Sequence, residues 1–461
     1  MNVASATAGI TRELAGIVGP ENVLEDPSLL RKFSVDDVAP GVAVAPASPE
    51  EVAAILRLAN QRDCVVVIGG GGTRQSIGGV PERADILLST TRLRAIEHFD
   101  PADLTIGIGA GAIVSDIQQE VARHNLFLPI DVCRAESATI GGSLAVGGNG
   151  PLQQGYGAIR EFCIGVKFVT GDGKIAKGGG RVVKNVAGYD LMKLMIGSLG
   201  SLGVIVSANF KLFPRPRRTR TFVAHFATLE EAARFRNQIA DSSLSPMCFE
   251  LVSPEAEEYL PRETIQSVTD RDFRLNAPPP PARTLWRVFL RAAGSDAVLA
   301  RYHRELARDI VNEIEGESEA KLWRALSNFS ETVLSLNRYA MILRVSVPPQ
   351  FIPMSLAAAE NAAMENNFMC AAIGRLGVGS LVVAFVPLLE EAPGVMQYGN
   401  AASALRSGLP RDGWAVVTRC PSDAKRHFSV WGTTPSDLQT MQLVKHTLDP
   451  RGILNRGRFL V

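Results

Sequence analysis

The residues best suited to chemistry in this sequence are those of Gly69-Gly-Gly-Gly-Thr73, which follow the β-branched run at 65–68. A strand that ends in four glycines and a hydroxyl residue presents consecutive backbone N–H groups, and such a turn suits a diphosphate. Any glycine turn has the same composition, so this motif alone has low specificity. It is not a Walker loop, because no Gly-Lys-Ser/Thr follows, and it lacks the spacing and the acidic strand end of a Rossmann turn.

A second group of glycines is denser. Between Gly141 and Gly203 lie 17 of the 42 glycines of the chain, separated by short apolar segments. Glycine lets the backbone adopt positive φ and brings amides close to a ligand with no side chain in the way. Closely spaced turns of this kind predict loops that surround one large, flat, phosphorylated ligand.

Composition narrows the class of protein. The 461 residues predict two or three domains, and 46% hydrophobic with 21% charged residues is typical of a folded globular protein. A formal net charge of +1 gives no reason to expect nucleic-acid binding. No apolar run approaches the roughly 20 residues of a bilayer span, and the first 19 residues lack a secretory pattern, so a cytoplasmic location is expected.

The six cysteines, at 64, 133, 163, 248, 370 and 420, contain no C-x-x-C pair. This spacing favours neither a disulfide framework nor an iron–sulfur cluster, and reduced, packed thiols are the expected state.

The elements that must position the glycines can be predicted from periodicity. Ser48-Pro-Glu-Glu51 predicts the start of a helix, with Ser48 as N-cap and Pro49 at the first helical position. Short strands are predicted at 64–68, 86–89 and 104–109 and a helix at 113–124. Helices and strands are therefore mixed, as in an α+β or α/β layer.

A boundary is predicted at 211–220, where two prolines and five cations favour an exposed domain junction over a basic docking surface. Beyond it, helices are predicted at 229–240, 296–315 and 320–336 and strands at 285–291, 340–347 and 380–386. This alternation predicts a second α+β domain. The proline-rich 276–282 is predicted to be a surface loop.

A longer set of motifs makes the prediction specific. In chain order they are Pro129-Ile-Asp131, Ala138-Thr-Ile-Gly-Gly142, Asn149-Gly150, Tyr156-Gly157, Gly171-Asp-Gly173, Val183–Leu191 and Gly197–Ile205. Together they resemble the vanillyl-alcohol-oxidase-like (PCMH-type) FAD-binding flavoproteins, and within them the family of the smaller, FAD-binding subunit of glycolate oxidase. The resemblance is near-continuous from about 138 to 216, looser over 36–137, and returns at Arg344 and in the tail.

This resemblance implies an α+β fold with a two-subdomain PCMH-type FAD-binding domain and an α+β cap of the FAD-linked oxidase type. The expected bounds are 1–216 (core about 36–216) for the FAD domain, 217–430 for the cap, and 431–461 for a segment returning to the FAD domain. The cofactor-binding residues it implies are Gly69, Gly70, Gly71, Gly72, Thr73, Pro129, Ser137, Ala138, Thr139, Gly141, Gly142, Ala145, Asn149, Gly150, Val204 and Ile205. Main-chain amides near residues 70 and 140 are together expected to hold the diphosphate.

The FAD is expected to be non-covalent, because Arg74 and Gln75 follow Thr73 where covalently flavinylated relatives carry a histidine. Larger 2-hydroxy-acid dehydrogenases of the family carry a His-x-Gly-Asp-Gly-Asn-x-His element that supplies metal ligands and a base. The comparable segment here, 371–380, has no histidine or acid, so no metal site is expected and independent catalysis is in question. Arg344 and Arg375 are candidates for a substrate carboxylate, with a salt bridge or a partner contact as the alternative.

The function implied is an FAD-binding subunit of a glycolate-oxidase-like 2-hydroxy-acid dehydrogenase complex, which oxidises a 2-hydroxy acid to a 2-oxo acid. The expected partners are a larger flavin subunit and an iron–sulfur subunit, and contact with the inner membrane face would be peripheral, through them. Two alternatives stay open: a non-catalytic flavin-binding assembly or relay subunit, and a stand-alone FAD oxidase of another alcohol. The substrate and the subunit stoichiometry are not determined by these residues.

Overall fold

The computed structural model describes residues 3–148, 150–181, 190–261, 285–389 and 391–461. Its contacts divide the chain into two compact units. The first unit comprises Met1–Asn149, Ala158–Arg215 and Thr433–Val461, and the second comprises Gly150–Gly157 and Pro216–Gly432. Both units mix helices with sheets, which confirms the predicted α+β class. The assignment of exact domain bounds stays a prediction.

The first unit contains two main sheets. Its helices are α1 (Val3–Val18), α2 (Pro27–Leu30), α3 (Pro49–Arg62), α4 (Val114–Ala122), α5 (Ile140–Ala145), α7 (Ile159–Phe162), α8 (Leu191–Met195) and α15 (Leu438–Leu448). Its strands are β1 (Val23–Leu24), β2 (Val42–Val44), β3 (Val66–Gly69), β4 (Ile86–Ser89), β5 (Ile96–Asp100), β6 (Thr105–Gly109), β7 (Leu126–Phe127), β8 (Cys163–Val169), β9 (Ile175–Gly179), β10 (Val204–Lys211) and β11 (Phe213–Pro214).

The first of these sheets positions the glycine turn. Its strand order is β1-β2-β4-β3, with β2 and β3 both parallel to β4, and β3 ends at Gly69. The predicted cap of α3 is confirmed, since the Ser48 side chain accepts from the Glu51 N–H at 3.1 Å. The Glu51 carboxylate in turn accepts from the Ala47 N–H at 2.8 Å, and this helix buries its apolar face beside the sheet.

The second sheet of this unit is antiparallel, in the order β5-β6-β10-β8-β9. Its central strand β10 follows the glycine block 197–203, and consecutive β10 residues point to opposite faces. Val204 accordingly joins the apolar core around α3, whereas Ile205 joins the core around α4 and α5.

The second unit is built on one eight-stranded sheet, in the order β15-β12-β14-β13-β17-β18-β16-β19, in which every pairing is antiparallel. Its strands are β12 (Arg218–Phe226), β13 (Cys248–Val252), β14 (Trp286–Gly294), β15 (Ile310–Ile314), β16 (Met341–Ser346), β17 (Phe368–Arg375), β18 (Ser380–Pro387) and β19 (Trp414–Arg419). Its helices are α6 (Gln153–Tyr156), α9 (Leu229–Asp241), α10 (Asp296–Leu306), α11 (Gly316–Leu336), α12 (Ile352–Glu365), α13 (Val395–Ser407) and α14 (Ser422–Lys425).

Two predictions in this region need correction. The helix predicted at 296–315 ends at Leu306, and Ile310–Ile314 forms edge strand β15, because this segment, with β-branched residues at 310, 311 and 314, pairs with β12. The basic run at 211–220 is only partly an exposed junction: β12 begins at Arg218, and Arg220 pairs with Glu313 at 2.7 Å and also with Glu315. The proline-rich 276–282 lies outside the described residues.

A buried charge cluster lies on the face of this sheet formed by β12 and β14. Arg287 is 1% exposed and makes a bidentate contact with Glu257, at 2.7 and 2.8 Å. Its third nitrogen lies 2.9 Å from Nε2 of His225, the cross-strand neighbour. Burial and the adjacent guanidinium lower the pKa of His225 to about 4, so the ring stays neutral and can accept this hydrogen bond.

This cluster predicts acid sensitivity. Unfolded His225 takes up a proton near its ordinary pKa of 6.5, whereas folded His225 does so only near 4. The free energy of unfolding should therefore fall by up to about 3 kcal/mol as the pH falls from 6.5 to 4. In denaturant titrations, His225→Gln should remove this dependence of the unfolding free energy on pH, whereas His303→Gln, at an exposed site, should retain it. If His225→Gln shows the same pH dependence as the wild type, His225 is not its cause.

Candidate functional site

The glycine turn after β3 opens onto a cavity within the first unit. The cavity has about 910 Å³ of space, counting the part open to solvent. Four segments of chain supply most of its lining: the turn after β3, the residues of and around α5, the block before β10, and the tail beyond α15. Its lining comprises Ile68, Gly69, Gly70, Gly71, Gly72, Thr73, Arg74, Gln75, Ile77, Thr90, Val132, Cys133, Ala138, Thr139, Gly141, Gly142, Ser143, Ala145, Val146, Gly148, Leu199, Gly200, Gly203, Ile205, Asn455 and Arg458.

The first turn has unused hydrogen-bond donors. Among the described residues no acceptor is found for the N–H groups of Gly70, Gly71 and Gly72, although the preceding residue Gly69 is held in the sheet opposite Ser89. Gly72 has φ of +72°, a conformation that L-residues rarely adopt. Three successive free amides beside a cavity form the kind of concave donor group that binds phosphate oxygens.

The second turn packs directly on the first. A Cβ atom at Gly71 would lie 1.6 Å from the carbonyl oxygen of Ser137, and one at Gly70 would lie 2.3 Å from Oγ1 of Thr139. The first turn therefore contributes no side chain to this contact, and glycine at 70 and 71 is required for the two turns to come this close. The sequence prediction that the segments near 70 and 140 lie together is confirmed.

The expectation that both turns supply free amides is wrong for much of the second. The Ala138 N–H donates to the Arg134 carbonyl at 2.8 Å, and the Gly141 N–H donates to the Ala110 carbonyl at 2.7 Å. The Gly142 N–H donates to the Thr139 side chain at 3.3 Å, which caps α5. These bonds fix the second turn as a rigid wall, and the first turn carries most of the available donors.

Most of the predicted cofactor residues line this one cavity. Those that do are Gly69, Gly70, Gly71, Gly72, Thr73, Ala138, Thr139, Gly141, Gly142, Ala145 and Ile205. Ser137 contributes only its carbonyl against Gly71, and Val204 points into the core on the far side of β10. Pro129 is outside the lining, Gly150 groups with the second unit, and Asn149 lies outside the described residues. The roles of these residues toward a cofactor stay predictions.

The tail beyond α15 supplies cavity residues that the sequence did not reveal. Asn455 accepts from the Ile68 N–H at 3.1 Å and donates to the Leu199 carbonyl at 2.5 Å. Arg458 is 5% exposed and donates to the carbonyl oxygens of Gln75 and Ile77. The closing Asn-Arg-Gly-Arg turn was the only sequence signal for these contacts, which join residues between 256 and 387 positions apart.

The two candidate arginines lie on the sheet of the second unit. Arg375 of β17 is buried and forms an ion pair with Glu250, its cross-strand neighbour on β13, at 3.4 Å, and it also donates to Ser380 at 3.1 Å. Arg344 of β16 is partly exposed and lies between Val382 and Val416 on the two neighbouring strands. Arg375 is thus buried and already neutralises a carboxylate, whereas Arg344 is the more accessible of the two candidates.

Known proteins share this architecture. The FAD binding domain family matches residues 40–179, and the FAD linked oxidases, C-terminal domain family matches residues 215–393 and 424–459. A 4-ethylphenol oxidase from Gulosibacter chungangensis superposes with a TM-score of 0.73 over 99% of this chain and 97% of its own, at 16% identity. A p-cresol methylhydroxylase superposes with a TM-score of 0.71 over 98% and 96%, at 15% identity.

The chain belongs to the PCMH-type FAD-binding flavoproteins. Its fold is the two-domain FAD-linked oxidase fold that the sequence predicted, its cofactor is FAD, and it is an FAD-dependent oxidoreductase.

Three relatives are informative about the class of reaction. A protein named D-lactate dehydrogenase from Archaeoglobus fulgidus is 37% identical, although the match spans only 47% of this chain and 48% of that relative. A D-2-hydroxyglutarate dehydrogenase from Xanthomonas citri pv. viticola is 27% identical over 90% of this chain and 88% of its own length. A glycolate oxidase subunit GlcD from Bacillus subtilis is 24% identical over 97% of both chains.

Two observations show that the residues of the cavity fit FAD. The N–H groups of Gly70, Gly71 and Gly72, which have no acceptor among the described residues, are the donors that a diphosphate needs, and a Cβ at Gly70 or Gly71 would collide with Thr139 or Ser137 of the second turn. Apolar residues such as Ile205 and Val146, also in the lining, suit a planar ring.

Two features are absent from the part of the chain that the structure describes. No helix there is both long and apolar enough to cross a bilayer. No group of three or more His, Cys, Asp or Glu side chains there is arranged to hold a metal ion.

The close contact of the two turns predicts the effect of one methyl group. Gly71→Ala places its Cβ against the Ser137 carbonyl, so the turns must separate and the amides lose their alignment. FAD affinity of the refolded apoprotein, measured by flavin fluorescence titration, should fall at least tenfold, about 1.4 kcal/mol or more. Gly16→Ala in α1, where a Cβ meets nothing within 4 Å, should bind FAD like the wild type. Equal affinity in both variants would contradict this geometry.

Proposed function

We propose that this flavoprotein is the FAD-binding subunit of a glycolate-oxidase-like 2-hydroxy-acid dehydrogenase, which converts a 2-hydroxy acid to a 2-oxo acid. The observation that carries the proposal is the glycine cradle with its free amides in a chain whose near-full-length relatives are named for 2-hydroxy acids. Lactate, 2-hydroxyglutarate and glycolate, the substrates in the names of the three relatives, share one reacting group, a hydroxyl on the carbon next to a carboxylate.

The protein's part in this reaction is to bind and to orient. When bound, FAD accepts the hydride from the substrate carbon. The first turn would hold the cofactor through Gly70, Gly71 and Gly72, and the second turn would support the first turn through the contact of Ser137 and Thr139 with its glycines. The hydrogen bonds of the Ala138 and Gly141 N–H groups hold the second turn in place, which would limit the positions open to the cofactor.

Arg344 is proposed to bind the substrate carboxylate. Its guanidinium can make two parallel hydrogen bonds to a carboxylate, and its apolar neighbours Val382 and Val416 strengthen a charged contact by excluding water. Arg375 is a weaker candidate, because its ion pair with Glu250 would have to break.

Electrons are proposed to leave through an iron–sulfur partner. The six cysteines of the chain contain no C-x-x-C pair, so cluster ligands would come from another subunit. A larger flavin subunit is the second proposed partner, in keeping with the resemblance to the smaller flavin-type subunit of glycolate oxidase. Any contact with the inner membrane face would be peripheral and through these partners.

A relay role is the second candidate. The segment 371–380 carries neither imidazole nor carboxylate, and its one ionisable side chain, Arg375, is engaged by Glu250. With no base there, this subunit would hold a flavin that passes electrons onward while the larger partner oxidises the substrate.

Anaerobic mixing separates the two candidates. The purified FAD-loaded chain is mixed with D-lactate, glycolate or D-2-hydroxyglutarate, and the visible flavin absorbance is followed. Bleaching by at least one acid supports the proposed dehydrogenase. Bleaching only after a larger flavin subunit is added supports the relay, and peroxide formation in air with another alcohol would support a stand-alone oxidase.

The carboxylate role predicts a specific kinetic defect. Arg344→Gln should lower kcat/KM for the acid that bleaches the flavin by about tenfold to hundredfold, because a charged hydrogen-bond pair contributes about 1.5–3 kcal/mol. The defect should be absent when the substrate is replaced by its uncharged amide, compared with the wild type. Arg411→Gln, at an exposed arginine of the same unit, is the matched control. Unchanged kcat/KM in Arg344→Gln would exclude this role.

A further inference from the structure

The tail 449–458 contacts the flavin turn at both of its ends. At the beginning of the turn, Asn455 holds the last part of β3 through the Ile68 N–H, and its own N–H donates to the Val66 carbonyl at 2.9 Å. At the end of the turn, Arg458 holds the carbonyl groups of Gln75 and Ile77. The free amides of Gly70, Gly71 and Gly72 lie between these two attachments.

The tail is itself held by a buried ion pair. Asp449 is 1% exposed and accepts from Lys445 at 2.7 Å and from the N–H groups of Ile453 and Leu454 at 3.1 and 2.9 Å. Lys445 also donates to the Ser201 carbonyl at 2.7 Å, in the segment before β10. Burial lowers the pKa of Lys445, and Asp449 opposes that shift, so the two charges depend on each other.

The physical consequence concerns the donors of the turn. A glycine-rich turn has many accessible conformations, and three amides point at one diphosphate in few of them. Fixing both ends before the ligand arrives removes much of that entropy cost from binding. Arg458 suits this task because one buried guanidinium can donate to two carbonyls and still pair with Asp36, at 3.4 Å.

We propose that Asn455 and Arg458 are positioning residues for the flavin: they preset the Gly70–Gly72 turn, so that docking of the tail and retention of FAD are coupled. Docking and FAD binding then favour each other to the same extent, as linkage requires. The proposal concerns cofactor binding and does not depend on which alcohol is oxidised.

The test measures FAD affinity of the apoprotein for four variants: Arg458→Met, Arg458→Lys, Asn455→Gly and Arg451→Met. Binding is titrated by flavin fluorescence at a temperature at which circular dichroism shows every apoprotein folded. Glycine at 455 keeps the left-handed backbone there, where φ is +45°, and removes only the side-chain bonds. Arg451 belongs to the same tail with its side chain 52% exposed, so Arg451→Met is the matched control.

We expect Arg458→Met and Asn455→Gly each to weaken FAD binding at least tenfold, Arg458→Lys to fall between Arg458→Met and the wild type, and Arg451→Met to match the wild type. Amide hydrogen exchange in the apoprotein should be faster over 69–77 in Arg458→Met. Lower melting temperatures with unchanged FAD affinity would overturn the proposal, since the tail would then only stabilise the fold. A chain that binds FAD as expected yet oxidises no 2-hydroxy acid would contradict the proposed function and leave this inference standing.

Discussion

The structure depends on one arrangement: three consecutive amides at the end of a parallel strand that find no acceptor in the described part of the chain. Unpaired backbone donors are costly when they are removed from water, so folded chains rarely keep three together. Here Gly70 and Gly71 are only partly buried and Gly72 is exposed, so the donors stay accessible and a diphosphate can take the place of the missing acceptors. The surrounding structure positions this turn: the sheet fixes its beginning at Gly69, and Ser137 and Thr139 pack against Gly71 and Gly70.

The two glycine-rich turns have different roles. The N–H groups of the first turn are available to a ligand, whereas most N–H groups of the second turn form hydrogen bonds that hold that turn in place. The tail adds a third element, with Asn455 and Arg458 tied to both ends of the first turn and Asp449 anchoring the tail through Lys445. The second unit places charges as ion pairs on its sheet, such as Arg375 with Glu250 on the neighbouring strand, and Arg287 with Glu257 of the helical turn after β13.

The sequence predicted helix caps and strands, which depend on neighbouring residues, and the motif resemblance predicted which segments lie together. The cap at Ser48, the strands at 86–89 and 340–347, and the nearness of residues 70 and 140 follow from capping, periodicity and motif resemblance. The strand at 310–314 was missed because its pairing with β12 outweighs helix propensity carried over from α10. Local patterns could not predict which amides lack an acceptor or which tail residues contact the turn. Both depend on contacts between residues that are hundreds of positions apart in the sequence.

The most direct test of the account is amide hydrogen exchange of the apoprotein before and after addition of FAD, ADP or riboflavin. ADP carries the diphosphate without the ring, and riboflavin carries the ring without the diphosphate. If the free amides bind the diphosphate, FAD and ADP will both slow exchange at Gly70, Gly71 and Gly72, and riboflavin will not. Protection by riboflavin but not by ADP, or protection confined to other segments, would contradict the account.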